Sequence, residues 1–335
     1  MHRWENVVEN VRTFSRGKVD FVQPASSLRM LECSGELYTP QYFQDNETMA
    51  KAGVMGDWAQ GQFFSRLGMP SRYFKKLMEE GQYSLVANHA NHFLAKSEGH
   101  LMIRGRETGN GIYVRGILSS EYTPFDYTDL IDVFDKILGQ TSQSYEITNY
   151  ALSDGSFHMK IVFPRLTSVV GRTVNNEEDA IRVGIHVANS EVGKRMVVVE
   201  PMLWRLVCSN GLMGWVPQGD MLRQRHRWLT ADEMYGRVVQ AVGGALKIGS
   251  DAIDMIKASR QKEIQNPLEV IEELAKDNNF SQGLSDSIKS AWAEEPEYSA
   301  YGVVNAFTRA ARDLDADSRM DLETFAGKIM RKAVV

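Results

Sequence analysis

"IRVGIHVANSEVGKRMVVVEPMLWRLVCSNG", residues 181–211, is the stretch on which the fold turns. Ile181, Val183, Ile185 and Val187 recur at every second position, the period of a strand with one apolar face. "RMVVVEPML" is a second extended run. The "NSEVGK" between them carries the Asn, Ser and Gly that tight connections need. The two runs read as an antiparallel hairpin.

Working outward, the same period appears upstream. "YEITNYALSDGSFHMKIVFP" places Asp154-Gly155, a strong two-residue hairpin signal, between Tyr145/Ile147 and Phe157/Met159/Ile161/Phe163. "HLMIRGR" and "IYVRGILSS", joined by "ETGNG", form a further hairpin. "DWAQGQFFSRLGMPSRYFKKLMEEG" reads as two helices broken at Leu67–Pro70, with "YSLVANHANHFLAKSEG" as a third and "YTDLIDVFDKIL" as a fourth. Residues 21–40 suggest small strands or an arm. From Thr230 on, the chain reads as helix. Thr230 and Glu233 form a capping box, and Asn266 caps a helix opened by Pro267. The expectation is one α+β protein with a central, mainly antiparallel sheet of five or more strands, one face packed on helices. An N-terminal arm (1–56) precedes a helical and sheet core (57–229), and a helical region (230–335) packs on that core.

The totals narrow the function. The chain has 335 residues, 43% hydrophobic and 24% charged, so it can bury a large core. The net charge of −5 lacks the whole-chain basic excess usual in nucleic-acid binders. Cys33 and Cys208 are too few for a disulfide framework or a cysteine-rich zinc site. The mixed-charge opening is not a secretory signal, and no run of about 18 apolar residues suggests a membrane span. A cytoplasmic protein with no membrane partner is expected.

Charge is unevenly spread. Residues 181–227 hold seven basic against three acidic side chains, whereas residues 263–323 hold fourteen acidic against five basic. Three sets of residues could use the basic excess. The loop Asn189, Ser190, Glu191, Lys194 and Arg195 could present N–H groups and cations to a phosphate, or be a plain solvated turn. Arg223, Arg225 and Arg227 alternate along "MLRQRHRWL" beside Trp228, an arrangement suited to a phosphate backbone with a stacked base, or to a connector paired with the acidic tail. Arg104 and Arg106, with Tyr113 and Arg115, could share a sheet face that cradles a single strand, or form the polar side of a half-buried sheet.

Enzymatic signatures are thin. "ETGNG" lacks the Gly-Lys-Ser/Thr and following helix of a phosphate loop. His89 and His92 lack the Glu of a His-Glu-x-x-His metal site. Cys208 continues an apolar run and has no base marked beside it. "FFSRLGMPSRYFKKLM", with Ser71, Arg72, Lys75 and Lys76 on its second helix, has only the outline of a helix-turn-helix. No catalytic residue, metal or cofactor is expected. A metal-dependent nuclease whose carboxylates meet only in three dimensions stays open.

The combination "IHVANSEVGKR…VVVEPMLWRLVCSNGLMGW", then "RHRW", then "YGVVNAFTRAAR" resembles the phage/plasmid-like protein family, also described as domain of unknown function 932. Asn189, Ser190, Glu191, Gly193, Arg205, Cys208, Asn210, Gly211, His226 and Asn305 carry the likeness, which runs from Trp58 to Arg312. It implies a mobile-element origin and supplies no reaction. A more distant architectural analogy is to the Rad-type single-strand annealing recombinases, which assemble in rings. These readings together favour a phage or plasmid protein that binds single-stranded DNA in recombination as a homo-oligomer. Phosphates would lie on Arg104, Arg106, Arg115, Lys194, Arg195, Arg223, Arg225 and Arg227, and bases on Tyr113 and Trp228. The alternative is an anti-defence protein whose acidic helices bind and block a host nuclease or restriction factor.

Overall fold

The structure is a computed structural model that describes residues 2–38, 53–109, 111–215, 221–227 and 230–334. Helix α1 (Trp4–Phe14) leads into β1 (Lys18–Pro24) and three two-residue strands, β2 (Arg29–Met30), β3 (Leu37–Tyr38) and β4 (Val54–Met55). Helices α2 (Asp57–Arg66), α3 (Ser71–Glu79) and α4 (Tyr83–Ala95) follow, then β5 (His100–Thr108), β6 (Gly111–Ser119) and α5 (Tyr127–Gln140). Next come β7 (Glu146–Leu152), β8 (Phe157–Arg172), β9 (Glu178–Asn189), β10 (Val197–Arg205), β11 (Asn210–Leu212) and β12 (Leu222–Gln224). The C-terminal helices are α6 (Ala231–Gln261), α7 (Pro267–Asp277), α8 (Gln282–Glu294), α9 (Ala300–Ala310) and α10 (Ala316–Val334).

The expected α+β class is found. The larger sheet runs β11-β10-β9-β8-β7, with β12 also on β10, and every pairing in it is antiparallel. The hairpin read from residues 181–211 pairs Ala188 with Val198 and Ile181 with Arg205. Its apolar set faces helices. Ile185, Val187, Val197 and Val199 pack on Met234, Val238, Val242 and Ala245 of α6, together with α1 and α5. Ile181, Val183 and Leu203 pack on Ala252 and Ile256 of α6 and on α7 to α10. Each such side chain is worth about 1.5–3 kcal/mol on burial, so α6 clamps the sheet along its length.

The opposite face differs from expectation. His158 and Lys160 on β8 and His186 on β9 alternate with the apolar set and so read as a solvent face. Yet they are 5%, 5% and 0% exposed. Helix α10 covers them: Met320 packs with Val162, Ala188, Val198, Met202 and Trp204, and Glu323 pairs with Lys160. Both faces are therefore covered here. Asp317 and Glu323 of α10 make this possible by partnering His158 and Lys160, while Glu200 of β10 partners His186.

The smaller sheet runs β1-β5-β6-β4. Strand β1 pairs with β5 from Lys18↔Arg106 to Pro24↔His100, so part of the expected N-terminal arm is a strand of this sheet. Helices α2 to α4 pack on it through Phe63, Phe64, Phe74, Leu77, Val86 and Leu94. Gly68, at φ 68°, makes the expected break between α2 and α3.

Candidate functional site

The first hairpin does not offer its arginines to a ligand. A register shift between Arg104 and Gly105 turns Arg104 inward. It is 0% exposed. Its guanidinium holds Asp20 at 2.7 Å, Asp126 at 2.7 Å and the Glu191 carbonyl at 2.7 Å. Burial opposes the charge, but those carboxylates hold it firmly protonated. Arg115 is likewise buried, 2.7 Å from Glu191. Arg106 donates to the Phe14 carbonyl and to Asp154. Tyr113 is half-buried against Gly56. The expected nucleic-acid face on β5 and β6 is thus corrected: its cations staple elements together.

The loop after β9 reverses the expectation in the same way. Asn189, Ser190 and Glu191 are 0% exposed. Asn189 donates to the Phe125 carbonyl, and the Ser190 hydroxyl donates to the Gly155 carbonyl. The Glu191 carboxylate accepts from Lys18 at 2.6 Å, Arg115 at 2.7 Å and the Tyr127 amide at 2.9 Å. Burial works against that carboxylate, and Lys18 and Arg115 overcome it, leaving its pKa below the ordinary value. The loop is gripped by an internal anion. It does not cradle an external one with Asn189 and Ser190.

What does open to solvent is a cleft of about 1020 Å³. One wall is cationic: Arg66 from the end of α2, Lys194 and Arg195 from the loop, Arg223 from β12, and Arg225 and Arg227 just beyond it. The other wall comes from the C-terminal helices and is largely apolar, with Phe280, Leu284, Leu314 and Phe325 half-buried and Lys328 exposed. Arg66 donates Nε to the Ile117 carbonyl at 2.8 Å, which fixes its guanidinium at the cleft. Partial burial, and then the like charge of Arg227, lower its pKa.

The cleft cations divide into two sets. Arg223 reaches Glu200 at 3.3 Å, and Arg227 pairs with Glu121 on the surface. Lys194 and Arg195 both hold Asp317, and Arg195 also holds Asp321. Arg66, Arg225 and Lys328 have no ion-pair partner among the described residues. Beneath the floor runs a buried chain from Arg223 to Lys194 and Arg195. Glu200 lies 3.2 Å from His186 Nδ1, His186 Nε2 lies 3.4 Å from His158 Nδ1, and His158 Nε2 lies 2.7 Å from Asp317. Hydrogen bonding to His158 is the main reason the Asp317 carboxyl sits well below the usual range, with Lys194 and Arg195 adding to it. Beside the cleft, His226 is 4% exposed and stacks on Tyr122 at 4.9 Å.

Other candidates fall elsewhere. Trp228 lies outside the described residues. Arg72, Lys75 and Lys76 of α3 are not part of the cleft. Cys208 is buried between Arg205, Arg309 and Glu295, and burial pushes its thiol up. Among the described residues no group of three or more His, Cys, Asp or Glu is placed to hold a metal ion. None of their helices is long and apolar enough to cross a membrane. Reading the sequence missed Arg66, Lys328, Phe280 and Phe325. Arg66 ends α2, Phe280 lies between α7 and α8, and Phe325 and Lys328 sit within α10, so only folding gathers them.

The fold and cleft define a mixed α+β protein with a cationic groove roofed by its C-terminal helices. The family model for a domain of unknown function, DUF932, matches residues 114–311, more than half of the chain, and the protein belongs to that family. The matched span includes the larger sheet, most of the cationic wall and Phe280 and Leu284, but not Arg66 or α10. No curated protein and no solved structure matches the chain.

Proposed function

We propose that this protein binds single-stranded nucleic acid in the cleft, as a non-enzymatic factor of a phage or plasmid. One observation carries the reading: a cluster of cations shares one cleft with an apolar wall that includes Phe280 and Phe325. Phosphates suit Arg66, Arg223, Arg225, Arg227 and Lys328, and guanidinium forks match phosphate oxygens. Phe280 and Phe325, packed edge-to-face at 5.1 Å, line the cleft with what ring surface they leave uncovered, and bases that a duplex would keep stacked in its interior would meet them there. The volume is at the upper end of ligand pockets and accommodates a short segment of strand. A homo-oligomer, as in annealing proteins, would extend such segments from one cleft to the next. The mobile-element origin rests on the sequence resemblance alone.

The competing anti-defence reading gains little. The C-terminal helices that would mimic DNA build the core that packs on Ile181, Val183 and Leu203, with Phe307, Ala326 and Met330 at 0% exposure. Deleting them would expose that core rather than remove a detachable surface.

The test is fluorescence anisotropy with a labelled single-stranded oligonucleotide at about 50 mM salt, where non-specific contacts are strong. Binding that Arg66→Glu with Arg225→Glu abolishes is the expected result. No binding by the folded wild-type protein refutes the reading.

A further inference from the structure

We propose that Asp317 and Asp321 act as a built-in competitor for ligand phosphate: they occupy the Lys194–Arg195 subsite of the cleft, and the buried His158, backed by His186, latches Asp317 there. The inference rests on the reading of the cleft as an anion site. It goes beyond that reading by assigning a regulatory contact.

The geometry is that of an occupied oxyanion site. Arg195 presents its Nε to one Asp317 oxygen at 2.6 Å and its Nη1 to Asp321 at 3.1 Å, while Lys194 takes the other Asp317 oxygen at 2.5 Å. Two cations thus converge on oxygens within one turn of α10, an arrangement that a phosphate could take over. A third contact anchors the competitor. His158 Nε2 lies 2.7 Å from the same Asp317 oxygen that Arg195 holds, and the carboxylate can only accept, so His158 donates there.

The groups facing the latch come from every packed element. From β9, His186 faces His158; from β10, Glu200 faces His186; from β12, Arg223 faces Glu200. Lys160 of β8 pairs with Glu323 of α10, which also accepts from Arg319. The chain joins one cleft cation, Arg223, to two others, Lys194 and Arg195, through the interior. Helix α10 also bears Phe325 and Lys328 of the opposite wall. A ligand phosphate that displaces Asp317 therefore acts on the helix that forms the far side of its own site, and the subsite cations change partners as it enters.

The experiment compares wild type with D317N and D321N, using two probes, inorganic pyrophosphate by calorimetry and a labelled oligothymidylate by anisotropy. Asp321 is exposed and away from the histidines, so D321N keeps the test alive should D317N fold poorly. Removing one competing charge at contact distance should tighten pyrophosphate binding about 5- to 10-fold in D317N and about 3-fold in D321N. H158F should move in the same direction as D317N, because phenylalanine keeps the ring shape and has no donor for Asp317. Pyrophosphate affinity that is unchanged or weaker in both aspartate variants, or absent throughout, overturns the proposal whatever the oligonucleotide does. Tighter pyrophosphate with no oligonucleotide binding upholds it and removes the nucleic-acid reading. Equal oligonucleotide affinity in all proteins, with unchanged pyrophosphate, leaves that reading and removes this one.

Discussion

Raising salt from about 50 to 200 mM separates the cleft from a broad basic face. Each phosphate contact to a single strand contributes a slope of about −0.7 in log K against log salt. Eight cations in contact, the set legible in the sequence, would give a slope near −5.6 and roughly a 2000-fold loss over that fourfold change. Folding withdraws most of them. Arg104 and Arg115 are buried, Arg106 is tied to Asp154, and Lys194 and Arg195 are held by Asp317. The cleft cations without an ion-pair partner among the described residues are Arg66, Arg225 and Lys328. Three contacts give a slope near −2.1 and a loss of about 20-fold, with Arg223 and Arg227 adding partial charge. Anisotropy of a labelled oligothymidylate across that salt range measures the slope directly. Arg225→Ala should flatten it by about 0.7 and Arg104→Met should leave it unchanged. A slope steeper than about −5, or one that Arg66→Ala and Arg225→Ala both leave intact, refutes the assignment of the site.

Other outcomes follow from the same geometry. Phe325→Ala should weaken oligonucleotide binding by about 1–3 kcal/mol while keeping the salt slope, since it removes a stacking face and no charge; a changed slope with unchanged affinity would contradict the aromatic wall. Arg104→Met strands the Asp20 and Asp126 carboxylates and should cost about 3–5 kcal/mol of unfolding free energy in urea. Burial lowers the His226 pKa from 6.5 to about 4, with the nearby Thr123 backbone opposing. The unfolded chain therefore binds more protons between those values, so the stabilisation is complete above about pH 6.5 and falls through that window by about 3 kcal/mol. His226→Phe should flatten the corresponding part of a stability–pH curve, and identical curves for the two proteins would dismiss the burial argument. At Gly214, φ is 77° and an added Cβ would meet the Thr324 carbonyl at 2.5 Å, so Gly214→Ala should lower the thermal midpoint and loosen α10.

Much of the fold was written in local pattern. The period of two in Ile181–Val187 and Phe157–Phe163, the Asp154-Gly155 turn, the Thr230 capping box and Pro267 at a helix start all report backbone chemistry that acts over a few residues. The structure has these elements where the pattern puts them. Local pattern could not say what lies on the polar side of a strand. His158, Lys160 and His186 have the spacing of a wet face, yet α10 supplies Asp317 and Glu323 from some 160 residues along the chain and dries it. The same holds for the arginines. A guanidinium in a sequence is a charge without a partner, and whether it meets a phosphate or Asp126 depends on long-range contacts that spacing does not encode. Sequence alone marked the hairpins of the larger sheet and the capped starts of α6 and α7. The tertiary structure decided which cations stay available, because electrostatic neutralisation acts through space between residues brought together only by packing.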